Sequence, residues 1–275
     1  MPDRIPERAG AVTRQVALLC CASALALAGA GALAGEPDKI VTDRPDFVES
    51  SDVVGRGRVQ IETSVALERL REDGGRERTR STPSLLRVGL GDSLEARLET
   101  DGRMVTRSEQ GGIGLRQAGY ADLALGLKWH VLDAAAGAPS LGLLLHADLD
   151  TGSPAFRGQG VRPSLRLVAE WALPGELALG VMPGLAWENN EAGERYLSGI
   201  AGVVLGKTWT PRWRSFVELS APRIARAADG GSLLSVDMGA AYLLSDSWQV
   251  DTAVSRGLRR TTPDWSWTVG VSAKF

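Results

Sequence analysis

The chain closes on a stretch that leaves it little freedom. From Trp265 to Phe275, apolar and polar residues alternate without a break. Trp265, Trp267, Val269, Val271, Ala273 and Phe275 fall on one side; Ser266, Thr268, Gly270, Ser272 and Lys274 fall on the other. A period of two sends successive side chains to opposite faces of a β-strand. Chain ends are usually polar and frayed. A two-faced strand that runs to a terminal aromatic must be paired along its whole length.

The same period recurs through the chain, giving twelve alternating segments. In 58–69, Val59, Ile61, Val65 and Leu67 oppose Gln60, Glu62, Ser64 and Glu68. In 83–90, Leu86, Val88 and Leu90 oppose Leu85, Arg87 and Gly89. In 94–101, Leu94, Ala96 and Leu98 oppose Glu95, Arg97, Glu99 and Asp101. In 120–131, Leu123, Leu125, Leu127, Trp129 and Val131 oppose Asp122, Lys128 and His130. Further on, the polar face carries His146, Asp148 and Asp150, then Ser164, Arg166 and Glu170, then Arg214 and Glu218, then Asp237 and Asp251. The eighth segment, 195–209, has no clear phase, and a bulge there is the expected cause.

A soluble sandwich also alternates, so two further patterns decide the class. Short turn-forming connections (91–93, 132–139, 174–175, 210–212, 245–247) take turns with longer polar ones (70–82, 102–119, 151–161, 189–194, 222–231, 257–264). Sorting of loop length by end is the mark of an outer-membrane barrel, with short periplasmic turns and long extracellular loops. Tryptophans sort the same way. Trp129, Trp171, Trp209, Trp213 and Trp248 fall near one rim, and Trp187, Trp265 and Trp267 near the other. Aromatic belts at both bilayer interfaces have this form. The expected fold is therefore all-β: a transmembrane antiparallel outer-membrane β-barrel of about 12 strands. Its last strand pairs with its first, and both termini are periplasmic. Phe275 sits at the interface, completing the aromatic girdle.

The first residues agree with export. Arg4, Arg8 and Arg14 precede an apolar run from Val16, and Ala32-Leu33-Ala34 has the small-x-small form of a cleavage site. Residues 1–34 are expected to be a signal peptide, 35–57 a periplasmic N-terminal lead segment, and 58–275 the barrel. Cys20 and Cys21 both lie in the signal, so the mature chain has no thiol for a disulfide or a Cys-based metal site. The whole chain carries a formal charge of −2, which gives no basic bias toward nucleic acid.

Thr42, Asp43, Arg44, Pro45, Phe47, Glu49 and Ser50 lie in the run TDRPDFVESS, just ahead of the first strand. This run resembles the T-D-R-P-x-F-x-E-S opening of a bacterial family named for the meta-pathway of phenol degradation, whose members are often described as outer-membrane transporters. YADLALGLKW (120–129) resembles the family's internal G-D-x-x-L-G-x-K strand, with Tyr120-Ala121 where a glycine is usual. The resemblance implies a barrel and the passage of small solutes, aromatic compounds among them. The tail likewise resembles the C-terminal signal read by the barrel-assembly machinery, through Thr268, Gly270, Ala273 and Phe275.

By parity, the lumen receives Glu62, Arg87, Glu95, Arg97, Glu99, Asp101, Asp122, Lys128, His130, His146, Asp148, Asp150, Arg166, Glu170, Arg214 and Glu218, with Asp237 and Asp251. Mixed charge fits either a wet channel or a salt-bridged plug, and twelve strands lie between filled and open barrels. Asp122 and Asp150 are expected to face each other near Glu99, Asp101 and Asp148. That cluster either biases the lumen toward cations or pairs with Arg97 and Arg166; no calcium-loop spacing accompanies it. Segment 35–57 is a periplasmic lead, or it folds back so that Arg44 meets lumen carboxylates. The expected function is passive passage of small solutes across the outer membrane of a Gram-negative bacterium, with no cofactor or metal and no enzymatic activity. Outer-membrane lipids and lipopolysaccharide are the surroundings. The rival readings are a plugged structural or adhesive barrel and an outer-membrane lipid hydrolase. A hydrolase needs a Ser–His pair, but the only histidines, His130 and His146, both point inward about four residues apart in register.

Overall fold

The computed structural model describes residues 39–275 except 73, 136 and 191. The expected signal peptide, with Cys20 and Cys21, and the first residues of the expected lead segment lie outside the described residues.

Fifteen strands form one antiparallel sheet. They are β1 (Val59–Glu72), β2 (Gly75–Ser81), β3 (Ser84–Gly89), β4 (Leu94–Thr100), β5 (Arg103–Gln110), β6 (Ile113–Tyr120), β7 (Leu123–Leu132), β8 (Ser140–Asp148), β9 (Arg162–Leu173), β10 (Leu177–Asn189), β11 (Arg195–Thr210), β12 (Trp213–Ile224), β13 (Leu233–Ser245), β14 (Trp248–Gly257) and β15 (Trp265–Lys274). Three pairs are single staves with a short break: β2 with β3 at Thr82-Pro83, β4 with β5 at Asp101-Gly102, and β6 with β7 at Ala121-Asp122. Twelve staves result. β15 pairs with β1 from Gln60↔Lys274 to Arg69↔Trp265, which closes the barrel and leaves the terminal strand no free edge. Among the described residues, the only helical element is a 3-10 turn, Ala227–Asp229.

The faces are those of a membrane barrel rather than a sandwich. Leu125, Leu145, Val203 and Val217 are 45–53% exposed, whereas Arg87, Lys128, Glu62 and Glu95 are fully buried. A soluble protein inverts that order. Trp129, Trp209, Trp213 and Trp248 lie at the short-turn end and are about half-exposed on the outer surface; Trp171 is less exposed. Trp187, Trp265 and Trp267 lie at the opposite end, and Phe275 is 55% exposed.

The structure corrects two expectations. Residues 70–82 and 102–119 are not loops. β1 and β2 meet at a tight turn next to Gly74, β5 and β6 at Gly111-Gly112, and β1, β2, β5 and β6 run on side by side as a four-stranded extension. A spanning strand needs about 9–11 residues, and these staves exceed that. Beyond the bilayer no apolar face is required, so the Arg/Glu alternation looked like a polar loop. The second correction concerns the eighth segment. β11 does carry register shifts against β12, at Gly199/Ala201 and Thr208/Thr210. Its phase nonetheless holds: Leu197, Val203, Leu205 and Trp209 point outward, while Ser198, Ile200 and Val204 are buried inside. The alternation is hidden because this part of the lumen is apolar.

Candidate functional site

Residues 39–57 contain no strand, yet Asp43, Val48, Glu49, Ser50, Ser51 and Val54 are all buried. The segment starts at the short-turn end, where Ile40 N–H donates to Asp246 O at 2.7 Å. It rises into the lumen and returns to the same end, where Arg56 meets Asp92 at 3.3 Å.

Buried backbone N–H groups need acceptors, and an irregular segment cannot take them from a sheet ladder. Four lumen carboxylates supply them. Glu62 accepts from Asp43 N at 3.2 Å, Glu218 from Phe47 N at 2.8 Å and Val48 N at 2.7 Å, Glu170 from Ser51 N at 2.6 Å, and Glu95 from Val54 N at 2.9 Å. Lumen cations take the carbonyls: Arg87 donates to Asp52 O at 2.8 Å, Lys128 to Ser50 O at 2.8 Å, and Arg214 to Arg44 O at 2.7 Å.

Asp43 is the centre. Its carboxylate lies 2.7 Å from Lys128, 2.6 Å from Arg97 and 3.3 Å from Arg87. Burial raises its pKa, but the three cations outweigh that and hold it well below the usual carboxylate range. Glu49 takes Arg97 at 2.7 Å and Arg166 at 3.0 Å. The same opposition of burial and cations, Arg97 foremost, lowers its pKa as well. Arg87 bridges Glu62 at 3.1 Å and Glu95 at 2.9 Å. Four acids (Asp43, Glu49, Glu62, Glu95) thus balance four bases (Arg87, Arg97, Lys128, Arg166). Arg44 reaches Asp251 at 3.1 Å, and Asp46 reaches Arg214 at 3.3 Å. On the apolar side, Val48 packs with Leu144, Val168, Met182, Val204 and Phe216, and Phe47 packs against that cluster. This is the apolar lumen that masked the phase of β11. At Gly89 the backbone of Gly55 comes so close that a Cβ would lie 1.6 Å from its carbonyl oxygen, so only glycine fits.

The remaining expected lumen residues line the other half. His146 Nδ1 lies 3.4 Å from Glu99. Asp122 lines one hollow with Glu99, Asp101 and Asp148, without Asp150. It pairs with Arg162 at 2.7 Å and accepts from Gly152 N and Gly158 N at 2.8 Å, which pins the 149–161 connection over the lumen. Asp150 is exposed, and Asp237 accepts from Ser220 and Ser235. Arg97 and Arg166, expected near that cluster, bind the N-terminal segment instead. His130 is engaged by Ser51 O at 3.0 Å and Asp133 at 2.9 Å. Among the described residues, no group of His, Cys, Asp and Glu is placed to hold a metal ion.

Three hollows follow the axis. The outermost, about 460 Å³, is lined by Glu99, Asp101, Asp122, Asp148, Arg162 and Glu188. The middle one, about 250 Å³, shares Glu99 and Asp101 with it and touches Asp43, Asp46 and Glu49 of the segment. The innermost, about 350 Å³, shares Asp46 and is lined by Lys39, Lys207, Arg212 and Arg214. The sequence shows the wall charges by parity. Their pairing with the segment was within reach only through the motif, whose own charges complement theirs.

The fold has solved counterparts. An outer membrane channel from Pseudomonas putida F1 is similar over 84% of this chain and 99% of its own, at TM-score 0.59 and 14% identity. The KdgM porin is similar over 78% of this chain and 99% of its own, at TM-score 0.51 and 11% identity. A comparison with curated protein sequences returned no match. The family described as "Putative MetA-pathway of phenol degradation" matches residues 42–275, from the threonine of the lumen-bound motif to the terminal phenylalanine. The chain belongs to that family, as an outer-membrane barrel whose family motif is bound inside its own lumen.

Proposed function

We propose that the protein is a passive channel for small solutes, its bore set by the segment 39–57. The observation that carries this reading is the run of three hollows from the outer vestibule, past the segment, to the short-turn end. The segment is held by ion pairs and side-chain hydrogen bonds, with no ladder of its own, so it is separable from the wall. The outer hollow holds five carboxylates, Glu99, Asp101, Asp122, Asp148 and Glu188, against one guanidinium, Arg162. Acidic rings favour cations. The inner hollow carries Lys39, Lys207, Arg212 and Arg214 and draws anions, so an anionic solute must be carried past the acidic mouth by other contacts. Small neutral or weakly polar compounds, aromatic ones included, fit this charge order best. The solved channel and porin support the reading. His130 is bonded to the segment and to Asp133, and His146 stands beside Glu99, which supports a role without catalysis.

Reversal potential across a salt gradient in planar bilayers tests it. Glu99→Gln with Asp148→Asn should lower cation preference without loss of folding, since lumen positions tune selectivity more than stability. Asp122→Asn should act differently, by freeing Arg162 and the 149–161 connection. Unchanged reversal potential in the Glu99/Asp148 variant would contradict the assignment. A sealed structural barrel is the reading favoured by the balanced ion network; it would be established if neither the wild type nor a variant with the segment released conducts.

A further inference from the structure

The four-stranded extension segregates its charge. Arg69 of β1 is in register with Arg78 of β2, Arg78 with Arg107 of β5, and Arg107 with Arg116 of β6. Four guanidinium side chains therefore stand in one row across four adjacent strands, and all four residues are exposed. Strands lie about 4.8 Å apart, so the row runs about 14 Å. Like charges directly opposite each other in a sheet are destabilising. Among the described residues, none of the four has an ion-pair partner. Glu109, the acid beside them on this face, is taken by Arg76. Glu68 and Glu77, one residue away in their strands, lie on the opposite face.

The level of the row matters as much as its charge. Arg69 is also in register with Trp265, and Leu67 with Trp267. Both tryptophans are about half-exposed on the outer surface. The row therefore starts in the aromatic belt, at headgroup depth, and runs on the outside of the sheet rather than toward the lumen. A hollow of about 330 Å³ lies on this face, lined by Arg76, Arg78, Arg107, Arg116 and Glu109.

We propose that this row is a docking site for the phosphorylated head of lipopolysaccharide, the phosphates of lipid A being its ligands. Guanidinium forks match phosphate in a bidentate way. A row that starts at belt depth and continues over the outer surface of β2, β5 and β6 meets a membrane-anchored phosphate rather than a solute in transit. The proposal rests on the outer-membrane orientation, with the extension facing out.

The test uses the full chain, purified and refolded in detergent, with bis-phosphorylated lipid A, dephosphorylated lipid A and phosphatidylglycerol as probes. The variant is Arg78→Gln/Arg107→Gln/Arg116→Gln. The control is Arg226→Gln, an exposed arginine in the 225–232 connection, outside the row. Wild type and control should bind bis-phosphorylated lipid A alike, and the triple variant about tenfold more weakly or worse, with heat-modifiable migration unchanged. Dephosphorylated lipid A and phosphatidylglycerol should bind the wild type weakly. Equal loss in the control, equal binding of the three lipids, or full binding by the triple variant would overturn the proposal. Orientation is read separately: Ile113→Cys, at the tip of the extension and 78% exposed, should react with an impermeant maleimide on intact cells. Lipid A binding in detergent without that labelling would place the fault in the orientation.

Discussion

Replacing Asp43 with asparagine keeps its shape and removes a carboxylate that meets three cations. Lys128, Arg97 and Arg87 lie 2.7, 2.6 and 3.3 Å away, and the side chains of Lys128, Arg97 and Arg87 are at most 1% exposed. The eight-group network goes from neutral to +1. Breaking a buried pair by removing one partner costs about 3–5 kcal/mol. Arg97 and Arg87 keep Glu49, Glu62 and Glu95, so the low end, about 3 kcal/mol, applies. The strand ladders are untouched, so the loss falls on the docking of residues 39–57. At about 1.4 kcal/mol per power of ten, the undocked population rises roughly 100-fold. The assay is maleimide labelling of Ser51→Cys, a site 1% exposed when docked. Labelling should be about 100-fold faster in the Asp43→Asn background, with barrel migration on gels unchanged. Adding Lys128→Met restores neutrality and should recover part of the protection. An unchanged labelling rate would refute the reasoning, as would loss of the folded barrel itself.

The pH dependence follows from the same group. The folded pKa of Asp43 is depressed, so its contribution is present above the unfolded carboxylate pKa and is lost only as pH falls through the folded value, well below the usual carboxylate range. The conductance gap between Asp43→Asn and the wild type should thus stay unchanged between pH 7 and 4.5; a gap that closes near an ordinary carboxylate pKa would contradict the network. Phe275→Asp places a charge where the chain ends at the interface and should impair assembly into the outer membrane. Normal heat-modifiable barrel from membranes of that strain would refute it.

The wall was legible because lipid demands strict alternation. Wherever one face meets hydrocarbon, as at Leu123–Val131, period and phase were plain. It failed where that demand lapses. Above the bilayer, in β2, β5 and β6, neither face must be apolar, and strands read as loops. On β11, Ile200 and Val204 are buried inside, Val204 against Val48 of the inserted segment, so apolar residues occupy both faces. Lumen charges such as Arg87 and Glu95 were found by parity, but their partners come from a segment with no period at all. Register placed Asp122 with Glu99, Asp101 and Asp148, but its direct partners, Arg162 and two backbone amides, were not legible, because the amides belong to an irregular connection that register does not describe.

The central claim is that residues 39–57 set the bore of a conducting barrel. The hydroxyls of Ser51, on the segment, and Ser140, on β8, lie 2.9 Å apart. In the Asp43→Asn protein produced from residue 35, Ser51→Cys with Ser140→Cys allows the segment to be tethered or released by redox state. Single-channel conductance should match the wild type while the tether is oxidised and rise on reduction, reversibly. Equal conductance in both states, or none in either, would contradict the account.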